Sequence, residues 1–503
     1  MNQLDVIKIW GENAGTDLET TIEYVSNNTK NHQSLVVSAM RKEWFNTTDK
    51  LKETADFLSN NHLESAQRVF NDILDFHIHA LAKQGWKNII PEIKEIFLNI
   101  SEAFESNLWN DINISNDFCI DVFWKSESFL WFWEKISALV HTRLLEEKWV
   151  EAEMLDMENI EISDVSNYST EVITYFNQEV SRILDEWKVP VVWGYIWNIP
   201  WWILENIDRW YTDATASLVA LSQYEKYEKT RLNIFKSVDG ILWVDPRLFD
   251  KWSKINLVSH MDYLTARELT WGSIGGKAKF LHEYALSHDI MNAGIELKIM
   301  DPKKPDVWTI VNAEKDSESK WVEIVNKRDG ISFVKITKAA FSEGVGDVEQ
   351  IFEIVRSKGF SIDMITTSET QVSFSLEVNN SKDLDDLKNT LISEFFNNDI
   401  SVIDYIQTQT NMSLIHCIGQ NLDHEYQLSL AHWILALEKE DIKIHTFWGE
   451  RDKWAIIFAV KQKDAIKSVQ TLARQFNLVK EKNEILQRIK SFFSFSWMSK
   501  VWS

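Results

Sequence analysis

DVIKIWGENAGTDLETTIEYVSNN, residues 5–28, decides how the rest of the chain is read. DVIKI (5–9) is a short apolar run that fits a buried strand, carrying one lysine, Lys8, near its end. WGENAGT is a glycine-containing turn, and LETTIEYVSNN has helical periodicity. A lysine closing a strand ahead of a tight turn into a helix can reach an anion toward which the turn and helix N–H groups also point. The same order recurs outward. SLVVSAM (34–40) reads as a second buried strand, and NTTDKLKETADFL opens a helix with Asn46 or Thr47 as N-cap, in a long helical stretch from 49 to 110. ESFLWFWEKISALVHTRLLEEK is a helix, VEAEML a strand, VPVVWGYI (189–196) a buried strand and YTDATASLVALSQY a helix. Alternation of this kind predicts an α/β domain with a largely parallel sheet, ending near residue 310.

A different order follows. ISFVKIT (331–337), GDVEQIFEIVRSKG (346–359), FSIDMIT (360–366), TQVSFSLEV (370–378) and DLDDLKNTLISEF (383–395) read strand, helix, strand, strand, helix. MSLIHCIG (412–419), SLAHWILALEKED, IKIHTF, WAIIFAV and KDAIKSVQTLARQF repeat it, so a small α+β unit is duplicated. The tail from 479 begins as a helix and then loses its pattern.

Composition bounds the partners. Lys and Arg total 53 against 76 Asp and Glu, a formal charge of −23, which disfavours nucleic acid and anionic membranes. A small anionic substrate in a locally basic cleft stays compatible with it. Cys119 and Cys417 lie in no CxxC or Cys/His cluster, so neither a zinc site nor a disulfide framework is expected, and both read as reduced cytoplasmic thiols. MNQLDVIKIW lacks the charged start and long apolar core of a signal peptide. No uninterrupted apolar run reaches the roughly 18 residues of a membrane span. One number is abnormal: glycine is only 15 of 503 residues while tryptophan is 24, although glycine is usually roughly 7%. A UGA codon that the cell reads as glycine, translated with a table that gives tryptophan, produces that exchange.

Neither GxxxxGK[ST], HExxH nor GxSxG occurs, and GSIGGK (272–277) alone is an ordinary glycine turn. Four polar constellations remain at expected strand ends, where open α/β sheets hold ligands. They are Lys8 with its turn; Glu134-Lys135 at a helix start; DRWYTD (208–213); and VDG (238–240) with DPR (245–247), joined by KAKFLHE (277–283). Arg209 could pair a carboxylate bidentately, and Glu134 or Asp213 could take an ammonium. Each is equally readable as a solvated charged face; their order and spacing are less ordinary.

Together these segments resemble the aspartate kinase family up to about residue 478. The family's KFGGTSV followed by Gly-Thr lines up without a gap on KIWGENAGT (8–16), and VVSAM (36–40) matches as it stands. S-x-G-E-R/K-L-S lines up with the stretch ending FWEKIS (132–137), GFIG…PGG…GRGYTD with GYIW…PWW…DRWYTD (194–213), KxVDGIxxxDPR with KSVDGILWVDPR (236–247), and GAKVLHP with KAKFLHE. The resemblance implies an amino-acid-kinase-like three-layer α/β domain over 1–312. Two ferredoxin-like ACT domains are implied over 325–400 and 401–478, the second able to borrow a strand from 309–325, with a 479–503 extension. It implies aspartate binding by Glu134, Arg209, Asp213, Asn13 and Ser38. ATP binding is implied for Lys8, Gly11, Lys236, Ser237, Asp239, Leu242, Arg247 and Lys279, with Lys8 and Lys279 catalytic and Mg²⁺ arriving with ATP. FSIDMITTSE (360–369) resembles the family's effector motif, implying lysine or threonine at Asp363, Thr367, Ser368 and Glu369, and a homodimer through the ACT domains.

The resemblance also sorts the tryptophans. Trp10, Trp133, Trp197, Trp201, Trp202, Trp210 and Trp308 stand where the family carries glycine. A phosphate-cradling turn needs close backbone approach that an indole denies. Other departures are not of this kind: Glu12 and Asn13 replace Thr-Ser, Asp208 and Lys277 replace glycines, and Glu283 replaces proline. The activity implied is phosphoryl transfer from ATP to the side-chain carboxylate of L-aspartate. The alternative is an amino-acid sensor of the same fold without turnover.

Overall fold

The computed structural model describes residues 2–42 except 16, 45–47, 62–83, 127–155, 168–194, 211–272 except 252, 283–315, 322–337, 346–395 except 379, 406–422, 426–449 and 455–480, with scattered positions between them. Cys119, the 481–503 tail and most of the expected 49–110 helix lie outside the described residues. Within that stretch Leu63–Lys83 is helical. Two compact units are formed, one by 1–241, 259–263 and 281–314, the other by 242–258, 264–280 and 315–503.

The first unit is built on an eight-stranded sheet: β1 (Gln3–Ile9), β2 (His32–Val37), β3 (Ala152–Met154), β4 (Val189–Trp193), β5 (Lys229–Phe235), β6 (His260–Asp262), β7 (Glu296–Met300) and β8 (Trp308–Asn312). Their spatial order is β6-β8-β7-β5-β1-β2-β4-β3. Every pairing is parallel except β7 with β8. The central strands are apolar almost throughout because helices cover both faces; Leu4, Val6, Ile7 and Ile9 of β1 are all buried. Helices α1 (Leu18–Asn27), α3 (Glu127–Glu147), α4 (Tyr168–Asp185) and α5 (Tyr211–Gln223) supply the cover, and α2 (Leu63–Lys83) stands between α1 and α3 in sequence. α4 packs on α5, and α5 lies across β1, β2 and β5; α3 packs on α1 and on β2, β3 and β4.

The second unit holds β9 (Ile324–Thr337), α6 (Asp347–Ser357), β10 (Ile362–Ser368), β11 (Gln371–Leu376) and α7 (Ser381–Thr390). The order then repeats as β12 (Ile406–Ile418), α8 (Tyr426–Lys439), β13 (Thr446–Trp448), β14 (Ala455–Lys461) and α9 (Ala465–Gln475). All six strands join one antiparallel sheet, β10-β11-β9-β12-β14-β13. The long central pair β9 and β12 runs from Ile324 opposite Ile418 to Ile336 opposite Ile406. Each repeat keeps its own core: Ile351, Val355, Phe374, Leu384 and Leu387 in the first, Trp433, Leu437, Phe458, Val469 and Leu472 in the second.

Two local expectations are corrected. Glu134 and Lys135 sit well inside α3 rather than at its start, because apolar residues extend that helix back to Glu127. Thr47 spends its hydroxyl on the Met40 carbonyl, 2.6 Å away, rather than on a helix N–H.

Candidate functional site

Parallel strands bring their C-terminal ends to one edge, and five adjacent strands deliver polar groups there. Lys8 is the penultimate residue of β1, Ser38 follows β2, Gly194 follows β4, Lys236 follows β5 and Asp301 follows β7. Backbone bonds hold the edge in register: Ser38 N–H to Ile9 O at 3.2 Å, Gly194 N–H to Val37 O at 3.1 Å, and Lys236 N–H to Met300 O at 2.9 Å.

The N-terminus of α5 comes down on this edge. Asp213, an acid in its first turn where the helix dipole favours negative charge, takes the Lys8 ammonium at 2.7 Å. Both side chains are buried, at 5% and 1% exposure. Burial pushes the Lys8 ammonium below its usual range, and the bond to Asp213 opposes that. Lys236 is also buried, and burial lowers its ammonium to about 7; Asp213 works against that shift and Lys8 adds to it. Both ammonium groups lie over the indole of Trp10, its ring centre 4.4 Å from each Nζ. The edge therefore concentrates positive charge on an aromatic face.

One residue earlier on α5, Thr212 opens a second cluster. Its hydroxyl lies 3.3 Å from Glu134 Oε1, which also accepts from Ser38 Oγ at 3.2 Å and Ala39 N–H at 3.3 Å. Glu134 is wholly buried, and its other oxygen, Oε2, has no partner. Burial raises its carboxyl to about 7, although Tyr211, Ala39, Ser38 and Thr212 all favour the ionised form. Gly194 lets α5 come this close: a Cβ there would stand 2.6 Å from Thr212 Oγ1. Thr215 adds a short hydrogen bond to the Gly194 carbonyl.

On the other side of Lys8, the turn after β1 closes through Ala14 N–H to Trp10 O at 2.8 Å. Asn13 is fully buried and its amide reaches Asp17 at 3.5 Å. Asp17 is held by Lys303, 2.5 Å away, from the loop after β7.

The structure thus brings together Lys8, Asp213, Ser38, Glu134, Asn13 and Lys236 of the residues singled out in the sequence. Gly11 begins the single helical turn Gly11–Gly15 beside them. Asp239 is instead paired with Lys304 at 2.8 Å, and Ser237 is exposed. In the second unit Leu242 is half-buried, and Arg247 folds back on Asp245 at 2.7 Å. Arg209, Lys279, Trp197, Trp201, Trp202 and Trp210 lie outside the described residues, as do the side chains of Glu12, Trp133 and Asp363. Thr367 and Ser368 end β10, an edge strand of the second sheet, and with Glu369 they are exposed. Thr212, Tyr211, Asp17, Lys303 and Gly194 were not anticipated; the available signal was the Thr-Asp pair opening a helix. Among the described residues no group of three or more His, Cys, Asp or Glu could hold a metal ion, and no helix is long and apolar enough to cross a membrane.

No family model matches the chain. The aspartokinase of Saccharomyces cerevisiae is 23% identical over 369 residues, 67% of this chain and 66% of that protein. The aspartokinase of Candida albicans is 20% identical over 468 residues, 85% of this chain and 80% of that one. The chain spans only 50% of the Schizosaccharomyces pombe aspartokinase. Among solved structures, Clostridium acetobutylicum aspartate kinase superposes with a TM-score of 0.67 at 17% identity, covering 94% of this chain and 100% of the other. Escherichia coli aspartokinase III in complex with aspartate and ADP gives the same TM-score, 0.67, at 17% identity, covering 94% and 99%.

Proposed function

From the premise that this chain belongs to the aspartate kinase family, we propose that it transfers the γ-phosphoryl group of Mg-ATP to the side-chain carboxylate of L-aspartate. One observation carries the reading: consecutive residues of one helix N-terminus, Thr212 and Asp213, tie a buried lysine to a buried carboxyl with an unused oxygen. The first cluster suits phosphate and the second suits an ammonium.

In this reading the substrate ammonium lies against Glu134 Oε2, whose missing partner it supplies, with Ser38 and Thr212 fixing the other oxygen. Arg209 receives the α-carboxylate. The side-chain carboxylate is ionised at neutral pH and is itself the nucleophile, so no general base is required. It attacks the γ-phosphorus in line, and the oxygen bridging to the β-phosphate leaves with the electron pair as ADP. Lys8, Lys236 and Lys279 offset the phosphoryl charge, so catalysis is positioning plus electrostatic stabilisation. Asp213 keeps Lys8 charged and aimed; Asn13 and Asp17 shape the turn beneath the phosphates.

Lysine-sensitive aspartokinase 3 of E. coli is 23% identical over 217 residues, and a solved E. coli aspartokinase III holds lysine and aspartate. We accordingly place a lysine-type effector on the exposed β10 edge at Thr367, Ser368 and Glu369 with Asp363, in ACT domains spanning 325–400 and 401–478. A homodimer through those domains and a cytoplasmic location, where the buried Cys417 thiol stays reduced, complete the proposal.

A second reading has one observation behind it. The Trp10 indole packs against both Lys8 and Lys236, where a phosphate would need access, as in a sensor that keeps the fold without turnover. A coupled ADP-release assay separates the two, on protein with Trp10, Trp133, Trp197, Trp201, Trp202, Trp210 and Trp308 each replaced by glycine. Aspartate-dependent ADP release, with L-glutamate inert, is the expected result, and absence of release with aspartate supports the sensor. Lys8→Ala should lower turnover far more than it weakens aspartate binding; normal turnover in that variant removes Lys8 from the mechanism.

A further inference from the structure

Six segments among the described residues close in one way: the residue after the helix donates to a carbonyl three back, and the next donates to a carbonyl five back. Gly294 N–H meets Met291 O at 3.1 Å while Ile295 N–H meets Ile290 O at 3.2 Å. Gly359, Asp441 and Asn477 repeat the pair onto Arg356, Glu438 and Arg474, followed by Phe360, Ile442 and Leu478 onto Val355, Leu437 and Ala473. The remaining two are Trp149, to Glu146 O at 3.0 Å with Val150 to Leu145 O at 3.0 Å, and Trp187, to Leu184 O at 2.9 Å with Lys188 to Ile183 O at 3.2 Å.

This closure demands a left-handed residue, and all six have one: φ is +64° at Gly294, +75° at Gly359, +55° at Asp441, +53° at Asn477, +63° at Trp149 and +61° at Trp187. Glycine adopts that conformation without steric cost, and Asn and Asp offset it with local hydrogen bonding. An indole does neither, since its Cβ crowds the carbonyl and its ring nitrogen stands too far out to bond back. Nor does burial repay the strain. Trp149 is 95% exposed and Trp187 is 80% exposed, the latter with one tilted ring contact to His32 at 4.8 Å. Trp433 shows what a required indole looks like in this protein: 1% exposed, with Phe458 and Phe476 ring centres at 6.1 and 5.8 Å.

We propose that positions 149 and 187 carry glycine in the protein the cell makes, so that the tryptophan written there is a codon its ribosome reads as glycine. Neither position belongs to the seven that align with family glycines, and neither touches the candidate site. Backbone geometry at two helix ends and ligand chemistry at seven motif positions thus point independently to one translation rule, and this inference stands without the proposed activity.

The test is the mass of the native chain. Protein isolated from the cells that encode it is cut with trypsin, and the peptide Ile183–Lys188, written ILDEWK, is read together with the peptide from Trp149 to Arg182. Both are expected at the masses for glycine, while the peptide containing Trp433 keeps its indole. Recovery of ILDEWK with tryptophan in place overturns the proposal. A second measurement uses recombinant chain as written. Trp149→Gly with Trp187→Gly should raise the melting temperature above that of the written chain and above Trp149→Ala with Trp187→Ala, since alanine keeps the offending Cβ. An alanine pair melting as high as the glycine pair overturns the geometric argument.

Discussion

Replacing Glu134 with glutamine tests the electrostatics of the candidate site directly. Glu134 is wholly buried, and its carboxyl rises from 4.5 to about 7 chiefly through burial. A carboxyl with a raised folded-state value contributes stability at low pH, and that contribution is lost as pH climbs through the folded value. Here the loss begins near 4.5 and is complete somewhat above about 7. The separation corresponds to about 3 kcal/mol, of which about 2–3 kcal/mol falls between about pH 5 and about pH 8. Glutamine keeps the shape and one acceptor but does not titrate. Urea unfolding of both proteins at the two pH values reads the effect, because shifted groups not coupled to Glu134, Lys236 among them, cancel in the comparison. Glu134→Gln should gain about 2–3 kcal/mol relative to the parent on going from about pH 5 to about pH 8. A gap that stays flat with pH would show that Glu134 ionises normally in the folded chain, and the reasoning from its burial would fall.

Three further outcomes follow from packing and exposure. Gly194→Ala puts a Cβ 2.6 Å from Thr212 Oγ1, so it should cost about 1–3 kcal/mol in thermal unfolding and weaken aspartate binding by moving Thr212 off Glu134. Trp433→Ala empties the second repeat's core and should cost about 3–5 kcal/mol by urea unfolding, in contrast with the two exposed helix-end positions. Thr367→Ala with Glu369→Ala, on an exposed strand edge, should raise the lysine concentration needed for half-inhibition while uninhibited turnover stays unchanged. Inhibition unaltered in that pair moves the effector elsewhere.

The fold was legible because its signals are local. A strand buried on both faces is a short apolar run, and the two βαββα repeats carry the same order of periods. What pairs across the sheet edge was not legible. Lys8 and Asp213 are remote in sequence, and only the descent of α5 onto β1 joins them; read alone, Asp213 suits a substrate ammonium equally well. Thr212 gives no signal of its own, since a threonine at a helix start is ordinary. Trp149 and Trp187 carry a signal of another kind, not ligand chemistry but a helix that stops at LLEEKW or ILDEW without the glycine such stops favour.

The candidate site in isolation is poor in settled charge. Glu134 and Lys236, one from each cluster, are both moved by burial to about 7 from opposite sides. Glu134 Oε2 has no hydrogen-bond partner of its own, and a substrate ammonium would supply one. An aspartate ammonium beside Glu134 lowers its value and expels a proton; nucleotide phosphates beside Lys236 raise its value and take one up. The two binding events therefore move protons in opposite directions. Calorimetric titration in two buffers of different ionisation enthalpy reads these transfers separately. Aspartate alone should release protons, Mg-ATP should absorb them through the protein once its own ionisation is subtracted, and the ternary complex should come out near zero. The aspartate signal should vanish in Glu134→Gln and the nucleotide signal in Lys236→Met. Buffer-independent heats for both ligands would mean that the two buried groups do not face the substrates, and the assignment of the two clusters would have to be abandoned.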